Sequence, residues 1–278
     1  MSISAKPILI LGGTGKTGRR LAERLAKQGR PVRIGSRSGQ PAFDWNDQGT
    51  WKAALDGVGA VYISYYPDLA VPGAAEAVGD LSRLAVENGV KRLVLLSGRG
   101  EPEAQLAERM VQQSGADWTI LRCSWFSQNF TESYLLDAVL SGDIALPAGD
   151  IGEPFVDADD IADVAAAAFA DDRHIGQLYE LTGPRLLTFA EATAEIAGAS
   201  GRDIRYTQLS AQQYAAAMAE QTVPEDITAF IVERFTEVLD ERNAYLTDGV
   251  QRALGREPRD FRDYARAAAT TGVWSAPQ

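Results

Sequence analysis

Glycines 12, 15 and 18 stand at even spacing between an apolar run, PILIL (7–11), and the stretch KTGRRLAERLAKQG (16–29). In that stretch Leu21 and Leu25 lie four apart with Ala22 and Ala26 beside them, and Gly29 follows as a stop, so the spacing predicts a helix. A strand that breaks at glycines and re-enters as a helix gathers free N–H groups and the positive end of the helix dipole at one point. Such a point suits a phosphate, and glycine lets backbone approach it closely. The triplet Gly15-Lys16-Thr17 raises a second possibility, a nucleoside-triphosphate P-loop. That device needs a glycine five positions before Gly15, where this chain has Ile10, inside the strand. The P-loop reading fails on that residue, and a dinucleotide turn remains.

Strand and helix signals go on alternating after the turn. PVRIGS (31–36), AVYIS (60–64), KRLVLLS (91–97) and DWTILRC (117–123) read as strands. TWKAALDGV, VPGAAEAVGDLSRLAVENG and EAQLAERMVQQSG read as the helices among them. Short apolar strands alternating with helices predict the α/β class, a Rossmann-type doubly wound parallel sheet covered on both faces. Past residue 125 the alternation loosens. FVDADDIADVAAAAFAD reads as a short strand and a helix, GQLYELTG (176–183) as a late strand, TFAEATAEIAGASG (188–201) as a helix, and the chain from Ser210 as mostly helical. The expected organisation is a dinucleotide-binding domain over 1–185, with 125–155 partly lining the ligand cleft, and a smaller, mainly helical lobe over 186–278. No linker separates them, so one continuous body is expected, with the lobe at the sheet's carboxyl ends.

Composition removes several other classes. With 45% hydrophobic residues there is core to bury, yet no apolar run reaches the roughly 20 residues that a membrane span needs. The sequence enters its first strand at once, without a leader pattern, and Cys123 is its only cysteine, which together suit the cytoplasm. A net charge of -11 argues against nucleic acid or an anionic membrane as a partner. A monomer or homodimer acting on a small apolar molecule is the expectation.

The tip of the second strand chooses between dinucleotides. A NAD site places an acidic residue about 20 positions past the glycine turn, to hold the ribose hydroxyls, whereas an NADP site uses an arginine for the 2′-phosphate. Nineteen residues after Gly18 this chain has Arg37, between Ser36 and Ser38, and no carboxylate lies between Glu23 and Asp44. A guanidinium flanked by hydroxyls suits a dianionic phosphate, and Lys16 adds a second cation nearby. NADP(H) is therefore preferred over NAD(H).

These stretches, taken in order, resemble the NmrA-like, atypical members of the short-chain dehydrogenase/reductase superfamily. The resemblance rests on ILILGGTGKTGRRLAERL, RIGSRSG, LVLLSG, SGADWTILRCSWFSQNF, PFVDADDIADVA and YELTGP…LTFAEATAEIAGASGRDIRY, about residues 7 to 210. It implies NADP(H) on a Rossmann domain with a small lobe over the substrate cleft. The family includes quinone, arylmethane-dye and ergot-alkaloid-type imine reductases, and members that only sense the coenzyme. By the same resemblance Gly12, Thr14, Gly15, Lys16, Thr17 and Gly18 hold the diphosphate, Ser36 and Arg37 the 2′-phosphate, and Asp44 and Trp45 lie near the adenine. Ser64-Tyr65-Tyr66-Pro67, counted as following the fourth strand, runs along the coenzyme. Ser124-Trp125-Phe126, counted as following the sixth, walls the nicotinamide.

One departure matters. Ordinary short-chain dehydrogenases use a Tyr-x-x-x-Lys pair, but none of the five lysines here lies four residues after a tyrosine. The matching helix carries acidic residues instead. Either hydride goes directly to an acceptor that needs no strong proton donor, or there is no turnover. Tyr65, Tyr66 and Ser97, all placed at strand ends near the coenzyme, are the candidate proton donors. His174, in the polar stretch ADDRHIGQ, reads as a surface residue, which leaves little for histidine chemistry. No metal site is expected: the acidic run DADDIAD (157–163) fails the Ca²⁺-loop pattern because Ala162 stands where glycine is required, so Asp159 or Asp160 is expected to cap the following helix. Cys123 is expected to be inert core.

Overall fold

A computed structural model describes residues 6–133 and 135–275; residues 1–5 and 276–278, at the two ends of the expected domains, lie outside the described residues, as does residue 134. The chain opens with β1 (Ile8–Leu11), α1 (Lys16–Lys27) and β2 (Val32–Gly35). A short α2 (Trp51–Leu55) leads to β3 (Ala60–Ile63), α3 (Ala74–Glu87), β4 (Arg92–Gly98), α4 (Pro102–Gln112) and β5 (Asp117–Cys123). Next come α5 (Asn129–Glu132), α6 (Leu135–Ser141), β6 (Asp143–Leu146), α7 (Ala158–Ala170), β7 (Gln177–Leu181), α8 (Phe189–Ser200) and β8 (Arg205–Gln208). The remaining α-helices are α9 (Ala211–Glu220), α10 (Glu225–Glu233), α11 (Gly249–Leu254) and α12 (Phe261–Thr270).

The elements build two compact units, each from three stretches of chain. The first takes Met1–Cys123, Ala158–Leu181 and Asp248–Arg256, and the second takes Ser124–Asp157, Thr182–Thr247 and Glu257–Gln278. Where a single boundary near residue 185 was expected, the units interleave. The reason is pairing: β7 extends the first unit's sheet beside β5, and α7 packs on α1, so 158–181 return to that unit.

The first unit's sheet is parallel throughout, in the order β2-β1-β3-β4-β5-β7. Its strands are apolar on both faces because both are covered. Leu9, Leu11, Val61, Ile63, Leu93 and Leu95 share one buried cluster with Val78, Leu81, Ala104 and Val111 of α3 and α4. The strand order reverses at β1, and at such a switch point an open α/β sheet binds its ligand outside the carboxyl ends. Between β2 and β3 the chain forms a 3₁₀ turn (Gln48–Thr50) and α2 rather than another strand, so Ser64 follows the third strand, Ser97 ends the fourth and Ser124 follows the fifth.

The acidic run is also corrected. Asp159 and Asp160 lie inside the first turn of α7, where arginines claim them. Arg24 of α1 donates to Asp159 at 2.6 Å and to Asp163 at 2.5 Å, while Arg256 donates to Asp160 and Asp163, both at 2.6 Å. The carboxylates thus fasten α1 and the returning segment 248–256 onto α7.

His174 is fully buried, contrary to expectation. The polar stretch coils into a 3₁₀ turn, Asp172–His174, and turns the imidazole inward, with Nδ1 2.8 Å from the Tyr179 hydroxyl. Arg173 donates to Nε2 at 3.3 Å, which assigns the proton to Nδ1. Burial first, then the Arg173 charge, holds the imidazole pKa below the usual histidine value. The folded chain therefore refuses a proton that the unfolded chain accepts. The stabilisation is complete above the unfolded pKa of about 6.5 and is lost as pH falls toward the folded value. Thermal melts should show a Tm that drops between about pH 7 and pH 5 in the wild type and a shallower drop in His174→Gln; identical slopes would contradict this.

The second unit holds a two-stranded parallel sheet of β6 and β8 and a core in which Phe130, Phe155, Phe189, Phe261 and Trp274 are buried together. α8 and α9 open with capping boxes, Thr188 with Glu191 and Ser210 with Gln213. Asp260 caps α12, and hydrogen bonds from Arg185 hold its carboxyl below the usual range. Neither β6 nor β8 was expected, since four-residue strands such as RYTQ give too short an alternation to read.

Candidate functional site

At the carboxyl end of β1 the chain turns through Gly12 at φ +66°, and the Gly15 N–H donates to the Gly12 carbonyl at 2.9 Å. Gly15 is the N-cap of α1 and no side chain caps it, which leaves first-turn N–H groups available to an anion. Gly12 is there for its positive φ, and Gly13 and Gly18 for want of space. A Cβ on Gly18 would lie 2.3 Å from the Gly12 carbonyl oxygen, and one on Gly13 would lie 2.8 Å from Ile34 Cδ1. Gly12, Thr14 and Gly15 are exposed, Lys16 is half-buried, and Thr17 and Gly18 are buried. Thr17 accepts a hydrogen bond of 3.0 Å from the hydroxyl of Tyr62 on β3.

Several of the expected residues do come together around this turn. Gly12 faces Ser64, whose Cβ and Oγ would lie 3.3 Å from a Cβ placed there. Trp45 donates its indole N–H to the Ser64 carbonyl at 3.3 Å and packs against Tyr65, ring centroids 4.7 Å apart. Trp45 in turn meets Phe43 and Trp51, both buried, at 5.0 and 5.8 Å. Phe43 and Trp51 were missed by sequence reasoning, although their spacing around Trp45 in FDWNDQGTW was the signal. The Asp44 carboxylate accepts the Asn46 N–H at 3.0 Å within its own turn.

Arg37, just past β2, is exposed and makes no hydrogen bond or ion pair with any described residue. Beside it the hydroxyls of Ser36 and Ser38 lie 3.4 Å apart. Among the described residues the cation has no partner, and its flanking hydroxyls contact only each other.

The three candidate proton donors differ sharply. Tyr66 is 76% exposed. Tyr65 is half-buried, and burial raises its pKa above the usual phenol value. Ser97 is buried, and its hydroxyl donates to Glu108 of α4 at 2.6 Å. Arg122, the register partner of Ser97 on β5, donates to both oxygens of the same carboxylate, at 3.0 and 2.5 Å. A carboxylate held by a guanidinium is an acceptor only, so the Ser97 proton is committed to it. Glu108 is thus a buried acid of α4, tied to both Ser97 and Arg122.

Ser124, Trp125 and Phe126 follow β5 and fold within the second unit. Ser124 donates to the Pro154 carbonyl at 2.5 Å, and the Trp125 N–H donates to the buried Glu153 at 3.0 Å. The Trp125 ring packs on Phe189 at 5.5 Å and on Phe235 at 4.8 Å, and Phe126 bridges to Val156. Cys123, which ends β5, is buried, and burial pushes its thiol pKa up. Nucleophilic use of that thiol is disfavoured.

Compared with known families, residues 12–172 match the NAD(P)H-binding family model. The chain belongs to the NAD(P)H-binding family. Its match begins at the first glycine of the turn described above. A relative named uncharacterized oxidoreductase YesF, from Bacillus subtilis, is 33% identical over 97% of this chain and 98% of its own. Among solved structures, triphenylmethane reductase of Citrobacter sp. complexed with NADP(H) superposes with a TM-score of 0.73 at 20% identity, over 94% of this chain and 99% of that one. NmrA, a negative transcriptional regulator in complex with NAD, superposes with a TM-score of 0.71 at 17% identity over 96% of both chains. At those identities the two structures establish a shared fold. The chain is thus an NAD(P)H-binding family member with a Rossmann-type fold like that of these structures, and its relatives include a protein named an oxidoreductase. Among the described residues, no helix is long and apolar enough to cross a membrane.

Proposed function

We propose that the chain is an NADPH-dependent oxidoreductase that delivers hydride directly to a flat, apolar acceptor: a quinone, an iminium, a dye or a carbonyl. The observation that carries this reading is Arg37, an exposed guanidinium with no hydrogen bond or ion pair to any described residue, at the strand tip beside a helix start that no side chain caps. The residues fit the coenzyme. The crowding at Gly13 and Gly18 keeps the turn narrow, so backbone N–H groups reach the diphosphate. Arg37, with Ser36 and Ser38, receives the 2′-phosphate, and Trp45, packed at a tilt against Tyr65, offers an aromatic contact to the adenine. When bound, the coenzyme supplies the hydride itself. The protein orients it and excludes water.

The buried Ser97–Glu108–Arg122 network supports the choice of acceptor. Ser97 has no proton to give, so an acceptor that becomes neutral on gaining hydride, such as an iminium or a cationic dye, suits the site best. A quinone would draw its proton from solvent or from the exposed Tyr66. The alternative is a non-catalytic NADP(H)-sensing protein, favoured by the same want of a buried proton donor. Absorbance at the NADPH band separates the two. Oxidation of NADPH that depends on a quinone, cyclic iminium or triarylmethane dye supports the enzyme. Binding without oxidation across that panel would support the sensor.

A further inference from the structure

The triplet Gly15-Lys16-Thr17 contains a threonine whose hydroxyl is tied to a buried tyrosine of the neighbouring sheet. Thr17 is the second residue of α1 and only 4% exposed. Its hydroxyl oxygen accepts from Tyr62. Tyr62 stands in the middle of β3, in register with Ile10, the residue two before the turn, and is itself fully buried. An isoleucine or phenylalanine would fill strand volume there without the cost of burying a phenol. That phenol needs a partner, and among the described residues Thr17 is the one it has. Tyr62 donates to the Thr17 hydroxyl oxygen at 3.0 Å, and burial, which holds the phenol pKa far above its usual value, keeps that proton in place.

The direction of that bond has a consequence. A hydroxyl offers one proton and two lone pairs. With one lone pair of Thr17 occupied by Tyr62, rotation that would turn its own proton toward Tyr62 is blocked. Among the described residues no carbonyl or carboxylate accepts the Thr17 proton, the carbonyl one turn back at Gly13 included. A donor is thus held in the first turn of α1, beside N–H groups that no side chain caps.

We propose that Tyr62 is a positioning residue that commits the Thr17 hydroxyl proton to the coenzyme's diphosphate. The inference rests on the coenzyme reading above. The diphosphate is an acceptor-only group that the glycine turn brings to this end of the helix. Accepting from Tyr62 also polarises the Thr17 O–H and strengthens its donation.

The test is titration of NADPH and NADH against four variants: Tyr62→Phe, Thr17→Val, Thr17→Ser and the double variant Tyr62→Phe/Thr17→Val. Thr17→Val removes a bond to an anion, and both coenzymes should weaken by about tenfold or more. Tyr62→Phe should weaken both by about three- to tenfold. Thr17→Ser keeps the hydroxyl and should restore most of the affinity, a rescue that a purely space-filling role would not give. The double variant should bind as Thr17→Val alone does, because Tyr62 acts only through that hydroxyl. Wild-type affinity in Tyr62→Phe, or additive losses in the double variant, would overturn the proposal while leaving the coenzyme reading intact. Loss confined to NADPH would also overturn it, since both coenzymes carry the diphosphate. A wild type that binds neither coenzyme would overturn the reading beneath it as well.

Discussion

Arg37→Ala is expected to weaken NADPH by about 1.5–3 kcal/mol, the range for hydrogen bonds to a charged group, and to leave NADH nearly unchanged. Arg37 is solvent-exposed and has no partner among the described residues, so removing it breaks no internal contact. The loss should then appear in binding and not in Tm. Because the contact is made in water, the loss should shrink as salt rises. The measurement is a pair of titrations, NADPH and NADH, on wild type and variant at low and at physiological ionic strength. Equal losses for the two coenzymes would show that Arg37 does not read the 2′-phosphate.

Gly18→Ala is expected to be the most damaging single change in the turn, and its signature differs. The added Cβ would lie 2.3 Å from the Gly12 carbonyl oxygen, 2.8 Å from the Gly12 carbonyl carbon and 2.8 Å from the Gly13 Cα. All three are backbone atoms, with no flexible side chain able to swing aside. Either α1 moves away from β1 or the turn opens. Overpacking of this kind costs about 1–3 kcal/mol of stability, and here the displaced atoms are the ones that would surround a diphosphate. NADPH and NADH should therefore weaken together, alongside a lower Tm. A variant with unchanged melting and unchanged coenzyme affinity would show that the turn tolerates the methyl and that its narrowness is not what binds.

The contrast between these variants reflects what the sequence makes legible. The glycine turn, the parallel sheet and α1 could be read because strand, glycine spacing and helix each leave a local periodic signal, and Ile10 alone removed the P-loop alternative. The place of Arg37, exposed just past β2, was legible because it stands at a fixed distance from the turn. His174 was misplaced for the converse reason. Its neighbours are polar, and only the pairing with Tyr179 across a turn shows that the ring faces inward. The acidic run gave a similar error: capping is a local inference, whereas Arg24 and Arg256 reach Asp159, Asp160 and Asp163 from far away in the chain.

The two units were the least legible feature. That 158–181 and 248–256 return to the first unit depends on β7 choosing β5 as its neighbour, a long-range pairing with no sequence period. Ser97 shows the same limit at the site. At a strand end it read as a proton donor, but Glu108 and Arg122, eleven and twenty-five residues on, take that role away. The residue types were visible all along; the geometry that sets the direction of each hydrogen bond was not.

The most direct test of the account is calorimetric titration of the purified wild type with NADPH and with NADH under identical salt and pH. Saturable heat for both, with NADPH bound at least tenfold more tightly, is the predicted result. Tighter binding of NADH, or no heat from either coenzyme, would contradict it.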